Sequence, residues 1–419
     1  MIKLFHTSDW HLGNVFHEFV RDDEHHHFLD WLLVQMKSEQ PDALLITGDV
    51  FDHVNPSAAS QRLYYEFLAR VVAELPGLQV IVIAGNHDSA YRLEAPDAFF
   101  SLMNVHVKGT VKRNKDMEID YDDLVLPVVS RTSPDERLLC VAVPYLRQGD
   151  YPPAESLSAS MNLFFSRASE AAGRLRRANE PLVLMAHFYA TGAEIAEDSS
   201  ERIWVGGQEA VNAGSLPEDW SYVALGHIHK RQTVASQDTV RYSGSVLSMS
   251  FSERSYRHGV ECVEIGPDGQ CVRRFLEYTP LRTLVSIPEE GPKPLDEVLE
   301  RIRHDLPSRK MSPDESLWPY LEIRVLLDKV ELQMNQKIMK ILEQKAVRFC
   351  SLRVFYEELT SARQEDNPTT LADLNAVTAL DVARIIYKRK YHLDMPEELE
   401  TLFNEAYEAA LKDISDENN

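Results

Sequence analysis

Short apolar runs recur through the first 280 residues, and several of them end in a polar cluster. Ile2–Phe5, Ala43–Ile46, Val80–Ala84, Leu138–Val143, Leu182–Ala186 and Tyr222–Leu225 read as strands. Between the early ones, Arg21–Lys37 and Ser57–Glu74 repeat their apolar positions at helical spacing. Alternating strand and helix predicts an α/β layered domain over 1–280. Gly259–Ile265 and Cys271–Tyr278 flank Gly266-Pro-Asp-Gly269, which predicts a hairpin.

The pattern changes near residue 280. Ile287-Pro-Glu-Glu-Gly-Pro-Lys-Pro294 is followed by a helix pattern (Leu295–Leu306), a strand (Tyr320–Leu327) and another helix (Val330–Gln344). This predicts a small α+β module over 281–360. Residues 361–376 are polar and linker-like, and 377–419 read as a helical pair. Leu399, Leu402, Phe403, Ala406, Tyr407, Ala410 and Leu411 form one apolar stripe, with Pro396 in the first turn. Thr378-Ala-Leu-Asp381 caps the helix before it. Such a stripe must be covered, by the chain's own domain or by a partner.

Hydrophobic residues make up 44% of the chain and charged residues 26%, a globular profile. No apolar run is long enough to cross a membrane. The start turns polar at His6-Thr-Ser-Asp9, unlike a secretory leader, and none of the 4 cysteines lies in a C-x-x-C pair. A cytoplasmic protein with reduced thiols is expected. The net charge of −22 argues against a protein that coats nucleic acid through Lys and Arg. It leaves room for one that handles phosphate through cations.

The chemistry lies at the strand ends. Asp9 and His11 follow the first strand. If that stretch is extended, they point to the same side. The next strand ends in Thr47-Gly-Asp-Val-Phe-Asp52, and a later one in Ala84-Gly-Asn-His-Asp88. His187 and Gly226-His-Ile-His229 close two more. Open α/β sheets place their sites at these carboxyl ends. Carboxylate, imidazole and amide donors suit a pair of divalent ions, with Asp49 the natural shared carboxylate. Gly48 and Gly85 leave room for sharp turns beside it. Taken singly, each motif is as well read as a cap, a turn or a satisfied histidine. In order and all at strand ends, they point to one metal centre. Glu24-His-His-His27 reads as a solvated helix face, because consecutive residues do not face one another on a helix. His17, His53, His106, His258, His304 and His392 receive no role.

The ordered set resembles the calcineurin-like metallophosphoesterases: D-x-H (Asp9, His11), G-D-x-x-D (Gly48, Asp49, Asp52), G-N-H-D (Asn86, His87, Asp88), a lone His187, and G-H-x-H (His227, His229). His6-Thr-Ser-Asp-Trp-His-Leu-Gly13, Pro56-Ser57 and Tyr242-Ser-Gly-Ser245 further resemble the branch that repairs DNA double-strand breaks. Length and C-terminal layout are similar to its bacterial members over essentially the whole chain.

The resemblance implies a layered β-sandwich flanked by helices, with a small capping domain. One ion would take Asp9, His11, Asp49 and His229, and the other Asp49, Asn86, His187 and His227; Mn²⁺ is favoured. His87 would be catalytic, with Asp52 as the carboxylate that pairs with it and raises its pKa. The implied activity is a DNA nuclease, a 3′-to-5′ double-strand exonuclease and a single-strand and hairpin endonuclease. The implied partner is an SMC-like ATPase docked on the C-terminal helices. Ser57–Leu75, with Ala59, Leu63, Phe67 and Val71 at helical spacing, is either a homodimer face or a core helix. Arg301, Arg303, Arg309 and Lys310 are candidate phosphate contacts. Two other readings stay open: a metallophosphoesterase acting on small phosphodiesters or phosphoproteins, and a metal-free scaffold. The chain has no G-x-x-x-x-G-K-[ST] loop of its own.

Overall fold

The computed structural model describes residues 1–356 except 178–179, 196–210, 213–215, 217–218, 235–236, 329–330 and 332. Beyond these it describes 380, 384, 387, 395–396 and 399–403. The 361–376 linker and most of the C-terminal helical pair lie outside the described residues. The chain divides into two compact units, Met1–Val285 with Ser316–Tyr320, and Ser286–Glu315 with Leu321 onward.

The first unit is built on two six-stranded sheets. In one, Ile2–Thr7, Ala43–Thr47, Gln79–Ile83 and Val105–Lys108 run parallel. The hairpin His258–Ile265 and Cys271–Tyr278 extends it antiparallel from Ile2–Thr7. In the other, Gln237–Tyr242, Trp220–Gly226, Leu182–His187 and Arg137–Ala142 are parallel. Gln232–Val234 and Val125–Val129 close its edges.

Both faces of the central strands are apolar, and the period-2 alternation sorts them into layers. Leu4, Ala43, Leu45, Ile81 and Ile83 of the first sheet pack with Leu138, Cys140, Val183, Met185 and Tyr222 of the second. Their neighbours Phe5, Leu44, Ile46, Val80 and Val82 turn outward, onto helices Asp22–Glu39 and Ala58–Glu74. Helix Leu157–Leu175 covers the outer face of the second sheet through Phe164, Phe165 and Ala168. The result is a helix–sheet–sheet–helix stack with parallel strand ends at one rim.

Helix Ala58–Glu74 starts where Ser57 accepts the Ser60 N–H at 3.1 Å. Its stripe of Leu63, Phe67 and Val71 lies in the chain's own core, so the core reading of that stripe holds. Helix Asp22–Glu39 differs from its sequence reading. Glu24 and His25 are fully buried, and only His26 and His27 face outward. Glu24 is charge-paired with Arg21, whose Nη1 donates to the Ser248 carbonyl at 2.6 Å. His25 reaches the Trp10 carbonyl at 2.9 Å.

The second unit contains helices Leu295–Asp305 and Met334–Leu342 and a four-stranded sheet that includes Tyr320–Leu327 and Arg348–Tyr356. Val298, Ile302, Ile323, Val325, Ile338 and Leu342 are buried.

Candidate metal centre

The segments after the first two parallel strands are hydrogen-bonded to each other. Asp9 N–H donates to the Gly48 carbonyl, His11 to Asp49 and Leu12 to Val50, at 2.9–3.1 Å. Asp9 and His11 are therefore not extended. Their φ values are 51° and 47°, and Asp49 and His227 are also left-handed, at 49° and 101°. Non-glycine residues rarely adopt this conformation, and it concentrates where side chains must be aimed at a site. The two-residue alternation expected for Asp9 and His11 gives way to consecutive tight turns. They still bring the two side chains together.

Glycine makes room around them. A Cβ on Gly85 would lie 2.1 Å from Asp49 Oδ1, and one on Gly48 2.2 Å from His187 Nδ1. The buried Asp88 carboxylate ties two loops together, accepting N–H from Gly85 (2.8 Å), Phe51 (3.0 Å) and Val50 (3.2 Å). Burial and the Asp49 charge push its pKa up to about 6, against the pull of those donors.

The predicted ligands fall into two groups that meet at Asp49. Asp9, His11 and His229 each offer a donor atom within 4.8 Å of the others, as do Asp49, His187 and His227. Asn86 Oδ1 joins the second group, 2.9 Å from His187 Nε2 and 3.0 Å from His227 Nδ1. Asp49 Oδ2 stands between, 3.8 Å from His11 Nε2 and 3.4 Å from His187 Nε2.

These donors fit a pair of cations. Both ring nitrogens of His11 are buried without a hydrogen-bond partner, a costly arrangement unless something else binds there. His187 Nδ1 donates to the Thr47 carbonyl at 2.8 Å, so in the neutral ring Nε2 presents a lone pair to the Asn86 and Asp49 oxygens. A proton or a metal ion must lie between them. Without metal it is a proton: burial opposes charge on the ring, but Asp49 outweighs burial and raises the pKa to about 9. Burial and the neighbouring His187 ring lower His227 to about 3, so it is neutral and able to ligate. Burial works against ionised Asp49, and the surrounding His187, His11 and His87 rings outweigh it, holding its pKa well below the carboxylate range.

Carboxylates behind the histidines orient them, a recurrent feature of metal sites. Glu253, fully buried, lies 3.3 Å from His229 Nδ1. Its position was not legible in the sequence, since it lies 24 residues from the ring it holds. Ser245 N–H donates to the His229 carbonyl at 3.0 Å, and Ser243 is bonded to Ser8, which donates to Asp9. The Tyr242–Ser245 stretch thus braces both ends of the first group.

Asp52 differs from expectation. Its carboxylate lies 3.2 Å from His11 Nδ1, within ion-pair reach but outside hydrogen-bond geometry, and accepts from Asn14 at 3.1 Å. His87 Nδ1 instead donates to the Asp52 main-chain carbonyl at 2.9 Å. The ring of His87 is exposed, and the residue's main-chain N–H donates to Asp49 Oδ1 at 2.8 Å. His11, Asp52 and His87 form a third close group, which shares His11 with the first. In the second unit, Arg301 is held by Glu290 and Glu297 and Arg303 by Glu300, so these phosphate candidates are already paired.

Known proteins share these features. A family model described as calcineurin-like phosphoesterase matches residues 2–231. Another, described as type 5 capsule protein repressor C-terminal domain, matches residues 280–391. The chain is 34% identical to the SbcD component of the nuclease SbcCD of Rhodobacter capsulatus, over 84% of this chain and 87% of that one. It is 30% identical to the protein of the same name from Bacillus subtilis, over 87% and 88% of the two chains. The Escherichia coli K12 protein of that name is 27% identical, over 89% and 90%.

Proposed function

This chain belongs to the calcineurin-like phosphoesterases and, within them, to the SbcD family, and from that premise we propose that it is the nuclease component of a DNA-end-processing complex. It is a metal-dependent phosphodiesterase by that membership. The observation that carries the reading is the Asp49 carboxylate poised between His11 and His187, with a complete set of donors on either side.

Asp9, His11, Asp49 and His229 would hold one ion; Asp49, Asn86, His187 and His227 the other. Bound there, divalent ions, Mn²⁺ on this reading, supply Lewis acidity and charge neutralisation for hydrolysis of a phosphodiester. The chain contributes the rest. His87 stands exposed beside the donors, its Nδ1 fixed on a carbonyl, and its Nε2 delivers a proton to the departing sugar oxygen. Asp52 orients His11, and Glu253 orients His229.

The substrate on this reading is duplex ends, attacked 3′ to 5′, and single strands and hairpins, cut internally. The partner is the ATPase implied by the relatives' name, SbcC, an SMC-like protein docked by the C-terminal helices. The second unit is, on this reading, the DNA-capping domain that orients DNA. A homodimer is supported by exposed apolar side chains clustered in sequence: Tyr91, Phe99 (74% exposed), Leu102 (86%) and Met103. Processing of breaks in recombination and replication follows, in the cytoplasm.

The test is incubation of end-labelled duplex and hairpin DNA with Mn²⁺, with and without the ATPase. Shortening from 3′ ends and hairpin opening support the reading. Turnover of a small phosphodiester alone moves the protein to the small-substrate branch.

A further inference from the structure

The segment after strand Arg137–Ala142 runs along the metal centre. Tyr145 N–H donates to the Ala84 carbonyl at 2.8 Å, fastening it to the start of the Gly85–Asp88 loop. The Tyr145 ring meets the His187 ring edge-on, centroids 6.1 Å apart. Two residues on, Arg147 is half-buried, and its Nη2 donates to the Asp88 carbonyl at 3.1 Å. Its guanidinium lies over Tyr145, 5.4 Å from the ring centroid. The segment is thus held from both ends against the loop that carries Asn86 and His87.

The Arg147 charge has no carboxylate partner among the described residues. Asp150, the nearby acid, accepts from the Arg147 main-chain N–H instead, at 2.8 Å. Several other arginines of this unit are neutralised: Arg231 and Arg241 share Glu261, and Arg257 pairs with Glu277. In a chain of net charge −22, an uncompensated guanidinium beside a phosphodiesterase centre calls for an anion. One N–H of the fork is spent on a neutral carbonyl, which fixes its position. The remaining donors have the planar spacing that matches phosphate oxygens. The anchoring carbonyl belongs to Asp88, two residues past Asn86, so the fork is offset from the donors that converge on the ions.

We propose that Arg147 grips the phosphate next to the scissile one, aligning a nucleic-acid strand across the centre, with the Tyr145 ring as the floor beneath the guanidinium. This rests on the nuclease reading above. It adds a substrate-binding residue outside the metal ligands and on a segment separate from them.

The experiment compares wild type, Arg147→Gln and Arg147→Lys. Each is assayed on end-labelled duplex DNA across roughly 50–200 mM salt, and on a mononucleoside 4-nitrophenyl phosphodiester, which has no neighbouring phosphate. Melting temperature and Mn²⁺ affinity are measured on the same preparations. For Arg147→Gln, KM on duplex rises about tenfold and the log–log salt slope becomes shallower by about one. The loss on the small diester is several-fold smaller. Arg147→Lys restores the salt slope and part of the affinity.

Duplex KM and salt slope unchanged in Arg147→Gln overturn the proposal. So do equal losses on both substrates accompanied by weaker Mn²⁺ binding, which would make Arg147 a prop for the Asp88 loop. A wild type that hydrolyses the small diester but neither binds nor cuts DNA overturns the nuclease reading and this inference together. A wild type active on DNA beside an unresponsive Arg147→Gln overturns this inference alone.

Discussion

His87 donates its Nδ1 hydrogen to the main-chain carbonyl of Asp52, at 2.9 Å, while the carboxylate of the same residue turns to His11. One residue therefore serves two rings through different groups. The backbone fixes the tautomer of His87, and the side chain orients His11, a proposed metal ligand. The charge of Asp52 is not needed to hold His87 in place.

Asp52→Asn keeps that carbonyl and weakens the hold on His11. Mn²⁺ affinity should fall about 10- to 100-fold, the usual cost of losing a carboxylate behind a ligating histidine. At saturating Mn²⁺, the alkaline limb of the pH–rate profile, where a general acid loses its proton, should move by less than about one unit. Calorimetric Mn²⁺ titration and the pH–rate profile check both parts. Unchanged metal affinity with a displaced limb would restore the carboxylate to His87.

Metal-free His187 holds its proton up to about pH 9, against 6.5 for an unperturbed ring. Its folded pKa is the higher one, so its contribution to the metal-free fold is full below about pH 6.5 and is lost as pH rises through 9. Ligation requires the neutral ring, so the ion must displace this proton. Mn²⁺ affinity should therefore rise about tenfold per pH unit between those values. The melting-temperature gap between Mn²⁺-loaded and chelator-treated protein should widen over the same range. A pH-independent gap would show that His187 does not ligate.

Asp88→Asn is nearly isosteric but sets an amide against three N–H donors that now share one carboxylate. Stability should fall by about 1–3 kcal/mol, and Mn²⁺ binding should weaken, because the donors belong to the loops that carry Asp49 and Asn86. Denaturant melts and metal titration of the variant test this. Wild-type values in both would mean that the loops hold themselves.

Leu102→Glu places a charge in the exposed apolar cluster and away from the metal donors. If that cluster is the homodimer face, light scattering should find a dimeric wild type and a monomeric variant, each with full metal content. A monomeric wild type, or a dimer indifferent to the substitution, would assign the patch elsewhere.

The parallel strands and the donors at their ends were legible because each donor sits beside an apolar run in a recognisable order. The groups that aim those donors were not. Glu253, Asp88 and His25 act across folded loops, on His229, on the Val50–Phe51 turn and on the Trp10 carbonyl. No local pattern reports such pairings. Glu24 and His25 looked solvated because their segment is charged, but a buried Arg21 neutralises Glu24 and a carbonyl satisfies His25. The periodic stripe at 63–71 fits a surface as well as a core by spacing alone, and it is core; a cluster of exposed apolar residues lies instead at 91–103, in helices too short to show a period. Helix Leu157–Leu175 and strand Gln237–Tyr242 escaped the sequence reading, the first rich in small residues and the second polar at its start.

The most direct measurement compares wild type with His87→Gln on end-labelled duplex and hairpin DNA in Mn²⁺, with bound metal quantified in both. The expected result is a loss of about 10²- to 10⁴-fold in cleavage rate, the range for removing a general acid, with two ions still bound per chain. Cleavage at the wild-type rate, or a loss that tracks missing metal, would contradict the separate role of His87 and the mechanism built on it.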